Sequence, residues 1–244
     1  NIKAEYSGIN SEVLYYVPLD KTYEVWKVKV TNASDLKRRL TVTGFCEFTN
    51  DNNYEQDQVN LQYTLFITRT FFENNKIMQF INENCVDSPV NGNSAVQRFL
   101  GLAGATVDTY CGDKEEFLGR YHTYADPVGI INGDCGNKLN YNGNGCGALS
   151  TKLELEPGET KEFIYVLGQK NAAEADKILD TYKNAGQVDK ELKELIDYWH
   201  GQLNNFQIET PSWEFNNMVN VWNAYQCFIT FIWSRAASFI YCGL

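Results

Sequence analysis

The sequence predicts a mainly β protein with a helical final third: an antiparallel β-sandwich followed by several helices. Apolar residues recur at every second position in parts of residues 11–168, which is the period of a strand. From about residue 171 they recur at the three- and four-residue spacing of a helix. Of the 244 residues, 43% are hydrophobic and 14% aromatic, which excludes an intrinsically disordered chain.

The strands are predicted from alternation and from turn residues. Residues 25–30 place a tryptophan and two valines on one face, and residues 61–68 alternate in the same way. Residues 153–167 are predicted to form a β-hairpin with Pro157-Gly158 in its turn. Many such segments between polar loops are typical of an antiparallel sandwich.

Two long irregular stretches, residues 50–60 and 112–148, interrupt the β pattern. A connection as long as the second is usually functional or disordered, and its aromatic residues favour order. Polar side chains beside aromatic rings suit hydrogen bonding to sugar hydroxyls. The candidate saccharide-binding residues are Tyr54, Gln56, Gln58, Arg120, Tyr121 and His122.

Each candidate also has a purely structural interpretation. Arg120 beside aromatic rings suits a sugar or an anion, but an arginine can equally stack on Tyr121 to hold the loop. His122 is more often a structural histidine than a general acid or base. An exposed turn explains Gln56 and Gln58 as well as a binding role does.

Helical segments follow. Asn171 is a predicted N-cap with Glu174 at the third position, and Gly186 is predicted to follow the helix end. A second helix is expected over residues 189–206 and a third over residues 213–233.

The end of the chain raises the question of a membrane span. Residues 228–244 are strongly apolar, but Arg235 interrupts them and a span needs about 20 residues. We therefore expect a buried helix of a larger helical domain, with Trp222, Phe231 and Trp233 covered by neighbouring structure.

The net charge of −10 excludes neither enzyme nor binding module, but it disfavours nucleic acid and anionic membranes as partners.

The cysteines and motifs give no sign of a metal or cofactor. None of the seven cysteines forms a C-x-x-C pair, and the chain has two histidines, so a structural zinc site is not expected. The sequence carries no phosphate-loop, dinucleotide-binding or H-E-x-x-H motif. We expect no cofactor, and reduced thiols in a cytoplasmic protein.

Four stretches of the chain resemble the inverting disaccharide phosphorylases, the family of cellobiose, cellodextrin and chitobiose phosphorylases. They are residues 16–28, Phe117-Leu118-Gly119-Arg120-Tyr121, Leu155-Glu156-Pro157-Gly158-Glu159, and residues 218–239. The resemblance covers about residues 5–244, and the loop at residues 50–60 looks closest to cellodextrin phosphorylases.

This resemblance implies a domain organisation. Residues 1–168 are expected to be part of the family's β-sandwich and residues 169–210 its helical linker. Residues 211–244 are expected to be the first helices of an (α/α)6 catalytic barrel, so that the chain begins inside the sandwich and ends inside the barrel.

The resemblance also implies an activity for a longer parent protein. The family cleaves a β-glucoside with inorganic phosphate, and an inverting displacement needs no enzyme nucleophile. Its general acid, an aspartate, is expected beyond Leu244, so the chain alone should be inactive and carries no assigned catalytic residue. The implied substrates are a cello-oligosaccharide and phosphate, giving glucose 1-phosphate. The implied assembly is a homodimer, with the segment around Gln56 and the segment 120–126 near the acceptor sugar.

Two alternatives remain open from the sequence. One is a non-catalytic carbohydrate-binding or dimerisation module. The other is part of an enzyme with the same architecture, such as a cyclic glucan synthase.

Overall fold

The computed structural model describes residues 1–48, 68–81, 97–141, 143–184 and 186–233. The chain forms two compact units, Asn1–Asp189 and Lys190–Leu244.

The first unit is a two-sheet antiparallel sandwich. Its strands are β1 (Ile2–Tyr6), β2 (Ile9–Tyr16), β3 (Tyr23–Asn32), β4 (Arg38–Glu47), β5 (Thr68–Glu73), β6 (Lys76–Ile81), β7 (Gln97–Ala103), β8 (Thr109–Asp113), β9 (Gly145–Leu155) and β10 (Thr160–Gly168). The larger sheet has the order β1-β2-β3-β10-β7-β6-β5, and the smaller has the order β4-β9-β8. The predicted fold class, a β-sandwich followed by helices, is confirmed.

The core lies between the two sheets. Trp26, Val28 and Val30 of β3 are buried there, as the alternation predicts. The Tyr165 hydroxyl crosses the core and donates to the Leu149 carbonyl oxygen at 2.9 Å. The predicted strand covers residues 61–68, of which residues 61–67 lie outside the described residues, and Thr68 is the first residue of β5.

The hairpin predicted for residues 153–167 is wrong, although its turn is present. Gly158 has φ +77°, and the Glu159 amide donates to the Glu156 carbonyl at 3.0 Å. However, β9 pairs with β4 and β8, whereas β10 pairs with β3 and β7. The turn therefore connects the two sheets, and the apolar faces of β9 and β10 meet across the core.

Buried Asn32 holds this crossing in place. Its Nδ2 donates to the carbonyls of Leu36 and Leu155 at 2.8 and 3.0 Å. Its backbone amide donates to the Glu159 carbonyl, and its carbonyl accepts from the Gly158 amide.

The stretch 112–148 is more regular than expected. It contains helix α1 (Lys114–Leu118) and helix α2 (Val128–Ile131), and β9 begins at Gly145. The irregular part is therefore limited to the segments on either side of α2.

Helix α3 (Ala172–Thr181) covers part of the outer face of the larger sheet. The Asn171 side chain accepts from the Glu174 amide at 2.9 Å, which confirms the predicted cap. A Cβ at Gly101 would lie 2.6 Å from Leu179, so glycine allows the helix to approach β7. Gly186 opens α4 (Gly186–Leu203) and does not close α3, because the chain first buries Tyr182 against Tyr23.

The second unit contains the rest of α4, then α5 (Trp213–Asn217), a π-helical turn (Met218–Trp222) and α6 (Asn223–Trp233). The predicted helix over residues 213–233 is thus present, with one π turn inside it. Among the described residues, no helix combines the length and the hydrophobicity that crossing a bilayer requires.

The expected burial of Trp222 is wrong: its side chain is 48% exposed. The described part of this unit supplies too few neighbouring elements to cover its apolar face. The side chains of Phe231 and Trp233 lie outside the described residues.

Candidate functional site

Arg120, Tyr121 and His122 lie together in the turn between α1 and α2, and all three are exposed. Tyr54, Gln56 and Gln58 lie outside the described residues. The structure therefore describes one of the two predicted binding segments, which we call the 120–126 turn.

The start of the 120–126 turn is fixed by the end of α1. The Asp113 side chain caps this helix by accepting from the Glu116 amide at 3.0 Å, and burial raises the pKa of Asp113. Gly119 closes the helix at φ +86°, where a Cβ would lie 2.3 Å from Val128. Only glycine fits both the backbone angle and the space.

Tyr121 is held in a conformation that tyrosine rarely adopts. Its φ is +69° and its side chain is 95% exposed. The His122 amide donates to the Gly119 carbonyl at 3.2 Å and closes the turn around it. Left-handed backbone in a non-glycine residue persists where the surroundings enforce it, often at binding sites.

Asp126 organises the second half of the turn. Its Oδ1 accepts from the amide and the hydroxyl of Thr123, both at 2.8 Å. Its Oδ2 lies 2.9 Å from Nδ1 of His122, which also lies 3.0 Å from the Asp126 carbonyl. The bonds from Thr123, with a contribution from His122, lower the pKa of Asp126.

These contacts define what His122 can offer. Nδ1 faces two acceptors, so it carries the proton and donates. The other ring nitrogen, Nε2, makes no hydrogen bond among the described residues. Among the residues that the structure describes, Arg120 makes no hydrogen bond, ion pair or ring contact. The 120–126 turn therefore presents a guanidinium, a phenol ring and an imidazole nitrogen to solvent.

Glu47, the last residue of β4, holds the 120–126 turn to the smaller sheet. Its carboxylate accepts from the Tyr124 hydroxyl and, at 3.0 Å, from Nζ of Lys114. Burial opposes ionisation of Glu47, but the bonds from Tyr124 and Lys114 outweigh it and lower the pKa. Sequence reasoning missed this contact because Glu47 lies 67 and 77 residues from its partners.

Aromatic stacking supports the same attachment. Phe45 of β4 stacks on Phe117 of α1 with ring centroids 4.8 Å apart, and it lies 6.2 Å from the Tyr124 ring. Phe117 is buried, and Gly129 leaves room for its ring. Helix α1 and the turn thus share one apolar base.

The segment after α2 is attached to the larger sheet. The Thr70 amide donates to the Asn140 carbonyl at 2.9 Å, and the Asn140 amide donates to Oγ1 of Thr70 at 2.7 Å. Nδ2 of Asn140 donates to the Gly143 carbonyl at 3.0 Å. The irregular stretch is therefore fixed to the smaller sheet before α2, and after α2 it is bonded to both sheets, since the Cys135 amide donates to Oγ1 of Thr109 at 3.1 Å.

The exposed groups of the 120–126 turn are suited to binding. A planar cation and an open aromatic ring suit the hydroxyls and faces of a sugar. Within the described ranges, no group of three or more histidine, cysteine, aspartate or glutamate side chains could hold a metal ion.

Comparison with known proteins identifies the family. Residues 1–185 match the glycosyl hydrolase 94 supersandwich domain, and residues 198–244 match the catalytic domain of the glycosyl hydrolase 94 superfamily.

Three relatives show how far the similarity extends. N,N'-diacetylchitobiose phosphorylase of Vibrio furnissii is 30% identical over 241 residues, which are 99% of this chain and 29% of that protein. The enzyme of the same name from Vibrio proteolyticus is 28% identical over 242 residues, with the same coverage. Cyclic beta-(1,2)-glucan synthase NdvB of Rhizobium meliloti is 25% identical over 212 residues, which are 86% of this chain and 7% of that protein.

Two consequences follow from these relatives. The chain spans less than a third of the length of the two phosphorylases. Their names do not support the particular likeness to cellodextrin phosphorylases that we expected. Since the supersandwich match alone spans 185 of the 244 residues, the chain belongs to the glycosyl hydrolase 94 family.

Proposed function

We propose that this chain is part of a phosphorylase that cleaves a β-linked disaccharide or short oligosaccharide with inorganic phosphate and releases a sugar 1-phosphate. The observation that carries the proposal is the match of both a sandwich domain and a catalytic domain of one family along a single chain. The names of the two Vibrio relatives support phosphorolysis as the reaction.

In this proposal the chain supplies binding surface and leaves proton transfer to another part of the protein. Arg120, Tyr121 and His122 contact the sugar on the acceptor side, together with the segment that includes Gln56. Phosphate attacks the anomeric carbon from the face opposite the leaving sugar, so no covalent sugar–enzyme intermediate forms. A homodimer in the cytoplasm remains part of the proposal.

The substrate is proposed at the level of a β-linked gluco-configured sugar. The sequence led us to expect a cello-oligosaccharide, whereas the names of two relatives favour N,N'-diacetylchitobiose. An N-acetyl group adds an amide donor and acceptor to the sugar, so the two substrates require different hydrogen-bond partners from the 120–126 turn.

The test is an assay of the whole protein that contains this chain. Cellobiose, cellotriose and N,N'-diacetylchitobiose are each incubated with and without inorganic phosphate. We expect a sugar 1-phosphate from at least one of them, with phosphate required, and no product from the 244-residue chain alone. Cleavage that ignores phosphate, or none with any of the three sugars, would contradict the proposal.

A glucan synthase role is the second candidate, because of the similarity to NdvB. It predicts chain elongation or cyclisation from a glucan donor in place of sugar 1-phosphate. Product analysis in the same assay distinguishes the two. A purely sugar-binding module predicts binding by the isolated chain, measured by calorimetry, and no product from the whole protein.

A further inference from the structure

The contact between Glu47, Lys114 and Tyr124 is a closed triangle. Each oxygen of the Glu47 carboxylate accepts from one partner, the Tyr124 hydroxyl or Nζ of Lys114. Nζ of Lys114 also lies 5.4 Å from the centre of the Tyr124 ring. Every member therefore contacts the other two.

The triangle is directly connected to the exposed candidate residues. Tyr124 lies two residues after His122, and Lys114 opens the helix that ends at the turn. The partners come from β4, α1 and the turn, so the triangle fixes the turn relative to a strand of the sandwich. The exposed, left-handed Tyr121 lies within this fixed segment.

The charges explain why an acid is needed at position 47. The side chain of Lys114 is 24% exposed and that of Glu47 is 43% exposed, so both are partly desolvated. The loss of one partner leaves the other charge in a partly desolvated site without its counter-charge. A neutral glutamine can accept from Tyr124 but cannot balance Lys114.

We propose that Glu47, through Tyr124 and Lys114, is a positioning residue that holds Arg120, Tyr121 and His122 in the conformation that binds the acceptor sugar. This inference rests on the proposed function, since it assigns the 120–126 turn to the acceptor side. Glu47 acts through the turn and does not contact the sugar.

The experiment uses the whole protein in the synthetic direction, with sugar 1-phosphate and a varied acceptor. Glu47→Gln and Tyr124→Phe each remove one side of the triangle. We expect the KM for the acceptor to rise about tenfold, the change that follows from losing one well-formed charged contact. The kcat and the KM for sugar 1-phosphate should change less than about twofold.

Two further variants serve as controls. Lys114→Arg keeps the charge and should keep the acceptor KM near the wild-type value. Glu154→Gln removes an acid that pairs with Lys37 and Arg39 on exposed positions of the sandwich, and it should leave all kinetic constants unchanged. Thermal unfolding of each variant shows whether it is folded; if Glu47→Gln is not, Tyr124→Phe decides.

The outcomes separate this inference from the proposed function. If the wild-type protein forms no sugar 1-phosphate in the substrate assay, the proposed function fails. If it is active but folded Glu47→Gln and Tyr124→Phe leave the acceptor KM unchanged, the inference alone is overturned. An equal rise in the KM of both substrates would also overturn it, because it would indicate a general structural role.

Discussion

Aromatic residues between the two sheets of the sandwich are buried, whereas those described in the helical unit are exposed. In the sandwich, Phe163 is 2% exposed and Tyr165 is 1% exposed, both between the sheets. In the helical unit, Trp213 is 72% exposed and Phe228 is 41% exposed. The difference arises because the two sheets of the sandwich cover each other's apolar faces. The described part of the helical unit has too few neighbouring elements to do the same.

The helices of the second unit have the apolar stripe of helices that pack against other structure, but their described aromatic side chains remain exposed. Trp199 and Phe228 meet edge to face at 5.3 Å, yet both remain at least 38% exposed. Exposed apolar patches of more than a few hundred Å² normally mark a surface that binds other protein. We therefore expect the apolar face of this unit to be covered in the whole protein.

Thiol reactivity should show the largest difference between the units. Cys111, Cys135 and Cys146 are buried in the sandwich, and burial raises the pKa of Cys135, whereas Cys227 on α6 is exposed. We expect Cys227 to react with a disulfide reagent at least about a hundredfold faster than the buried cysteines, which need local opening.

The measurement is timed labelling of the chain followed by peptide mapping. Cys85 and Cys242, which lie outside the described residues, are first replaced by serine so that they do not react. Cys46 provides a slowly reacting reference within the same chain, because burial raises the pKa of its thiol to about 12. Rapid labelling of Cys111 or Cys146 in the folded protein would contradict the packing of the sandwich.

Truncating one phenylalanine in each unit compares their packing directly. Phe163→Ala should reduce the free energy of unfolding by about 3–5 kcal/mol, because it opens a cavity in the core. Phe228→Ala removes the same atoms from a partly exposed site and should cost less than about 1 kcal/mol. Urea unfolding followed by circular dichroism measures both, and equal losses would show that the two sites are packed alike.

A buried asparagine tests the sheet crossing in the sandwich. Asn32→Ala removes two donors to backbone carbonyls and an acceptor for Ser34. We expect a loss of about 2–3 kcal/mol, because the carbonyls of Leu36 and Leu155 lose their partner. The control is Asn10→Ala on an exposed strand position, which should change stability by less than about 0.5 kcal/mol. A loss no larger than this control would show that the crossing does not depend on Asn32.

Local patterns account for much of the fold. The burial of Trp26, Val28 and Val30 follows from a period of two, and the Asn171 cap follows from residue type and spacing. Both depend only on neighbours within a few residues. The helix over residues 213–233 was predictable for the same reason.

What the sequence did not reveal depends on distant contacts. A hairpin and a connection between sheets have the same local pattern at residues 153–167, and the connection that forms is bonded to Asn32 of a distant strand. The Glu47 contact likewise joins residues 67 and 77 positions apart. The burial of Trp222 could not be predicted, because an apolar stripe identifies a helix face that packs against other structure but does not identify the structure that packs on it.

The helix caps should give the smallest difference between the units. Asn171 accepts from the Glu174 amide at 2.9 Å, and its helix buries Ala175 and Leu179. Ser212 accepts from the Phe215 amide at 3.3 Å, and its hydroxyl also donates to Glu214. Asn171→Ala should therefore cost about 1 kcal/mol, and Ser212→Ala about 0.5 kcal/mol or less.

Urea unfolding measures both cap variants, with Asn171→Asp and Ser212→Asp as matched replacements that retain an N-cap acceptor. These should recover most of the lost stability, since aspartate is favoured at the N-cap and near the positive end of the helix dipole. A loss at Ser212 that exceeds the loss at Asn171 would mean that α5 contributes more to stability than its exposed side chains indicate. In that case, the better-packed and the more exposed parts of the chain would not coincide with the two units.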